Sequence, residues 1–170
     1  MRVSFLTVAA AVLCAGMLVS RASYAQDAQA PIARTFSISG AVESPLNLLE
    51  SDLRRLPPTE VTVSFETNHG QEQGTFRGVL LWSLLSKATI VDGAEKSSHL
   101  SHTITIVGRD GYQVALSIGE IEPKFEGKSV ILAYDRDGVP ASAADGLRLV
   151  VPGDRHGGRD VRDVVQIVVH

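Results

Sequence analysis

The sequence predicts a single β-rich α+β domain of mixed sheets with few short helices, and three observations predict it. Seven short runs carry strand-like spacing between turn signals. Only one stretch, Val79 to Ala88, keeps helical spacing for more than a turn. Hydrophobic residues make up 44% and charged residues 21% of 170 positions, which suits one domain with a core and not a disordered chain.

Residues 1–25 read as a secretory signal. Arg2 gives a positive start, Val3 to Val19 is almost wholly apolar, and Ser23-Tyr24-Ala25 has the small-x-small form of a cleavage site. Leu13 precedes Cys14 where a lipobox needs Gly, Ala or Ser, so cleavage after Ala25 is expected and the protein is expected in the periplasm. Cleavage removes Arg2 and Arg21 and no acid, so the net charge moves from −3 to −5. It also leaves a chain with no cysteine and no methionine. Disulfides, thiolate metal sites and cysteine nucleophiles are thereby excluded from the mature protein. No basic excess exists to neutralise nucleic-acid phosphates.

After a polar, Ala-rich leader (26–34), the domain runs from 35 to 170. Thr35 to Ser39 alternates polar and apolar residues, and Gly40 ends the alternation. Ser51-Asp52 is expected to cap a single helical turn through Leu53 to Leu56, stopped by Pro57-Pro58. Glu60 to Glu66 places Val61, Val63 and Phe65 on one side of a strand. Val79, Trp82 and Leu85 set one face of the expected helix, with Leu81, Leu84 and Ala88 beside it. Thr103 to Val107 and Tyr112 to Leu116 pair across Arg109-Asp110-Gly111, Asp-Gly being a strong hairpin turn. Ser117 and Glu120 form a capping-box pattern. Val130 to Tyr134, Leu147 to Val151 and Val164 to Val169 complete the strands.

The most chemically loaded stretch is Asp154-Arg155-His156-Gly157-Gly158-Arg159, followed by Asp160 and Arg162. Gly157 and Gly158 let backbone N–H groups approach a ligand, and Arg159 and Arg162 supply forked donors; otherwise it is an exposed polar loop. The spacing is not that of a dinucleotide fingerprint. Asn68-His69-Gly70 is a turn, or places the Asn68 amide and His69 ring on a cleft rim. Trp82 is either core packing or a stacking platform for a flat ring. His99 and His102 have helical metal-ligand spacing, but no acidic or thiolate partner lies near them in sequence, which favours exposed loop residues. No Gly-x-Ser-x-Gly elbow occurs.

Taken in order, ISGAVESPLNLLESDLRRLP (38–57), FRGVLLWSLL (76–85), RDGYQVALS (109–117), ILAYDRDGVPA (131–141) and LRLVVPGDRHGGRDVRDVVQIVV (147–169) resemble the molybdopterin-binding domain of the sulfite-oxidase family. The resemblance implies a sulfite-oxidase-like fold, with a pterin held by the Asn68-His69 turn and the 153–162 loop. Asp154 or Asp110 would accept from the pterin's amino edge, Arg159 would donate to its carbonyl or stack on it, and His156 would point to solvent. Redox members of the family bind molybdenum through a cysteine near the position of Phe65-Glu66-Thr67, and this sequence has none there.

On that departure the chain looks most like the small periplasmic pterin-binding branch of the family. The branch implies a non-enzymatic protein that binds a free, reduced pterin without molybdenum. It also implies a partner, the periplasmic region of an inner-membrane enzyme that makes and degrades cyclic di-GMP, and so signalling to biofilm formation. Two alternatives are a molybdopterin-dependent oxidoreductase, or subunit of one, and a ligand-free interaction module on the same fold.

Overall fold

The computed structural model describes residues 34–94, 97–142 and 145–170. The expected signal peptide, and the leader as far as residue 33, lie outside them. In chain order the elements begin with β1 (Thr35–Gly40), β2 (Leu46–Leu49), α1 (Glu50–Leu53), β3 (Thr59–Thr67) and β4 (Gly70–Leu80). Next come α2 (Leu81–Ala88), β5 (Thr103–Gly108), β6 (Gln113–Ser117), α3 (Ile118–Ile121) and β7 (Ile131–Arg136). The chain closes with β8 (Val139–Pro140), β9 (Arg148–Val150) and β10 (Val164–Val169).

These strands form two sheets, the first mixed and the second antiparallel throughout. One has the order β2-β1-β10-β5-β6, and its β1–β10 pair is parallel. The other has the order β3-β4-β7-β8, with β9 also paired to β7. A single core lies between them: Phe36 and Ile38 of β1, Ile104 and Ile106 of β5 and Ile167 of β10 meet Val79, Leu132, Tyr134 and Leu149 from the second sheet. Helix α2 closes this core with Leu81, Leu84, Leu85 and Ala88, all fully buried. Strand β7 is buried on both sides. Leu132 and Tyr134 face the main core, whereas Ile131 and Ala133 join Val63, Phe65, Phe76 and Val150 in a second apolar cluster. Alternate side chains of a strand point to opposite faces, so the second cluster lies on the far face of that sheet.

The local signals act largely as expected. In the β5–β6 turn the Asp110 carboxylate accepts the Tyr112 N–H at 2.9 Å, and Gly111 takes a φ of +85°. The Ser117–Glu120 capping box is formed, Glu120 accepting the Ser117 N–H at 3.2 Å. Two boundaries differ. Helix α1 begins at Glu50, because Asp52 accepts the Leu49 N–H from inside the first turn and does not act as the N-cap itself. Val79 and Leu80 end β4, and the helix expected from Val79 starts at Leu81. Three strands were not expected: β2, β8 and most of β4, whose first half is Gly70-Gln71-Glu72-Gln73-Gly74.

Candidate functional site

The far face of the second sheet carries the unusual chemistry. Phe65 and Phe76 make an apolar floor, and the Arg148 guanidinium lies across it, 4.8 Å from the Phe76 ring centre and 6.0 Å from that of Phe65. Arg148 comes from β9 and is 13% exposed. Its Nε donates to Asp160 at 2.5 Å, and its Nη2 donates to Asp160 and, at 2.9 Å, to Glu72. Glu72 comes from β4 and also takes Arg136 Nη1 at 2.7 Å, while Arg162 Nη2 stands 3.6 Å away. One carboxylate thus gathers three guanidinium groups over two phenylalanines.

A cavity of about 370 Å³ opens beside this layer. Phe76, Ala133, Arg136, Arg148 and Arg162 line it together with Asp137, Val139 and Asp145. Arg148 Nη1 makes no hydrogen bond to any described residue, so the cavity wall presents an unused pair of donors. The neighbouring charges shift as the contacts require. Glu72 is partly desolvated, yet Arg148, then Arg136 and Arg162, hold its carboxyl below the usual range. Burial pushes the Asp160 carboxyl up, against the pull of Arg148.

The 153–162 loop packs onto the end of β3. Glu66 N–H donates to the Arg155 carbonyl at 2.9 Å, and Gly157 lies so close to the Phe65 ring that a Cβ there would sit 2.9 Å from it. Of the nine residues singled out from the sequence, only Arg162, 62% exposed, reaches the cavity. Arg159 and Asp154 pair with each other through two hydrogen bonds, at 2.9 and 2.6 Å, and Arg159 Nη1 donates to Glu120 at 2.9 Å. Asp154, then Glu120, raises the Arg159 pKa above its ordinary value. Gly158 accepts the Tyr112 hydroxyl at 2.7 Å, which ties the loop to the β5–β6 turn that contains Asp110. His156 is exposed, 3.8 Å from Glu66. Asn68 and His69 form the tip of the β3–β4 hairpin, where His69 N–H donates to Thr67 Oγ1. Trp82 is half-buried in α2, packed against the main core.

Two parts of this arrangement were not legible beforehand. Glu72 and Arg148 lie in a Gln/Gly run and in an apolar strand, and neither carries a local motif. His99 is also corrected: it lies between two carboxylates, Asp92 seven residues before it and Glu122 23 residues after it. Among the described residues no group of three or more His, Cys, Asp or Glu is arranged to hold a metal. No helix among them is long and apolar enough to cross a membrane.

A family model described as the oxidoreductase molybdopterin binding domain matches residues 25–170. Among solved structures, the sulfane dehydrogenase SoxCD from Paracoccus pantotrophus is similar, with a TM-score of 0.67 and 22% identity over 81% of this chain. The match covers 38% of that chain, so the present sequence spans well under half of its neighbour's length. At this identity the likeness shows the fold. No curated protein sequence matches. The β-rich sulfite-oxidase-like fold expected from the sequence is confirmed. The expectation of a non-enzymatic protein is overturned, because the matching family is one of oxidoreductase domains.

Proposed function

The chain belongs to the oxidoreductase molybdopterin-binding domain family, and we propose that it is the cofactor-holding domain or subunit of an oxidoreductase, with the pterin part of the cofactor in the Arg148 cavity. The observation that carries this reading is Arg148 itself. Two carboxylates fix its Nε and Nη2, and its Nη1 donors are left beside a cavity of about 370 Å³. Small-molecule pockets run from about 300 to 1,000 Å³, and a flat heterocycle needs a few fixed donors and acceptors within such a space. A pterin presents a carbonyl and ring nitrogens beside amino and N–H donors. Arg148 suits the first group, and the Asp137 and Asp145 carboxylates at the wall suit the second.

The residues present fit the organic part of the cofactor. They offer no thiolate, since the only cysteine is Cys14, outside the described residues and within the expected signal. When bound, a molybdopterin supplies redox chemistry; what this chain would supply is binding, orientation and charged donors and acceptors at the ring's edge. Export belongs to the same reading, supported by the apolar run Val3 to Val19 and the Ser23-Tyr24-Ala25 site. N-terminal sequencing of protein recovered from the periplasm tests it, with Gln26 as the expected first residue.

The cofactor reading is tested on protein purified from a host that makes molybdopterin, by oxidising it and measuring released pterin fluorescence alongside metal content. Stoichiometric pterin is expected. Val139→Trp, at an exposed position of the cavity wall, should fold normally and lose pterin at least about tenfold, because an indole in the cavity keeps the ring from reaching the charged groups, and each charge-assisted hydrogen bond so lost is worth about that factor. Loss on Asp154→Ala or Arg159→Ala instead would move the ligand to the 153–162 loop.

A further inference from the structure

A buried charged residue lies outside the cavity lining: Glu122, 4% exposed, just after α3. Its carboxylate meets His99 Nε2 at 2.8 Å. The other ring nitrogen, Nδ1, faces Asp92 at 3.2 Å. A neutral imidazole has one N–H and one lone pair, whereas two carboxylates ask for two donors. With both carboxylates ionised, the arrangement is complete only with an imidazolium.

We propose that His99 is a pH-operated latch, which pins the short helical turn Ser98–Ser101 to the end of α3 while protonated and lets it go when the proton is lost. Deprotonation leaves one carboxylate facing a lone pair and strips the buried Glu122 of its counter-charge, which a low-dielectric site tolerates poorly. The hydrogen bond to Glu122, and then that to Asp92, holds His99 above the ordinary imidazole range against the opposing effect of burial.

Among the described residues, the groups facing the ring are Asp92 from the loop after α2 and Glu122 from the end of α3. Other described charges nearby are engaged elsewhere. Glu120 binds Arg159 and Lys128, Glu126 binds Lys128, and the His102 ring contacts the Val91 and His170 carbonyls. Glu120 stands two residues before Glu122 and grips the 153–162 loop through Arg159. Opening the latch therefore reaches that loop through α3. The proposal does not depend on the cofactor reading.

The test is amide hydrogen exchange on the full chain from about pH 5.5 to about 9, corrected for intrinsic rates, with the His99 midpoint read from imidazole NMR. Amides of 98–101 and 118–122 should lose protection by roughly 10- to 150-fold across that midpoint, while β10 stays unchanged. His99→Gln should abolish the step. Asp92→Asn, at an exposed position, should lower the midpoint without threatening the fold. A wild-type chain with no step, or a step that survives His99→Gln, overturns the latch.

Discussion

Arg148 shows how a single side chain can organise a face. Its stem rises from β9, where Leu149 and Val150 are buried, and its largely buried guanidinium finds partners across the sheet while one edge lines the cavity. Asp160 and Glu72 satisfy three of its N–H directions, and Phe76 takes the flat surface, which a lysine could not use in this way. Trp82 makes the contrasting case of a large side chain packed against apolar neighbours. It packs on the main core with part of the ring in solvent. Trp82→Ala should therefore cost about 2–4 kcal/mol, at or below the usual range for a core tryptophan, and Trp82→Phe under about 1.5 kcal/mol. Urea unfolding measures both. Pterin content should be unchanged in the Phe variant, and its loss would restore Trp82 as a stacking platform.

At the scale of elements, the β4–β7 pairing is the most demanding join. A bulge falls between Arg77 and Gly78, and a Cβ at Gly78 would overlap the Leu132 carbonyl on β7. Gly78→Ala should destabilise the protein by about 1–3 kcal/mol or more, because β7 sits between two apolar clusters and cannot shift. A thermal melt of the variant checks this, and an unchanged midpoint would mean that β7 yields. This strand also marks the limit of what the sequence discloses. The β5–β6 hairpin and α3 were legible because Asp110-Gly111 and Ser117/Glu120 act within a few residues of themselves. The first half of β4 was not, since Gly70 to Gly74 has no alternation and is a strand only because it pairs with β3 over its full length. Glu72 was missed for the same reason: its partners Arg136 and Arg148 lie 64 and 76 residues away. The 153–162 loop was recognisable by composition, yet its Asp154–Arg159 pairing depends on a fold that composition does not contain.

For the whole molecule, these charge clusters set opposing limits on stability with pH. Glu72 and Glu120, though partly desolvated, are held below the usual carboxylate range by Arg148 and Arg159 respectively. Their contribution is complete above the unfolded value of about 4.3 and fades as pH falls through the lower folded values. Asp160, raised by burial, works with the opposite sign and blunts that acid limb. His99, raised by Glu122 and Asp92, contributes fully below the unfolded value of about 6.5 and loses its share as pH rises through the higher folded value. The melting temperature should therefore form a dome, highest between about pH 5 and 6.5 and falling on both sides. Scanning calorimetry from about pH 3 to 9 measures it, with two variants to separate the limbs. Glu72→Gln should flatten the acid side and leave the alkaline side intact; His99→Gln should do the reverse. If both variants keep the wild-type shape, the two limbs arise instead from exposed surface pairs such as Arg55–Asp52 and Arg77–Glu60, which solvent screens.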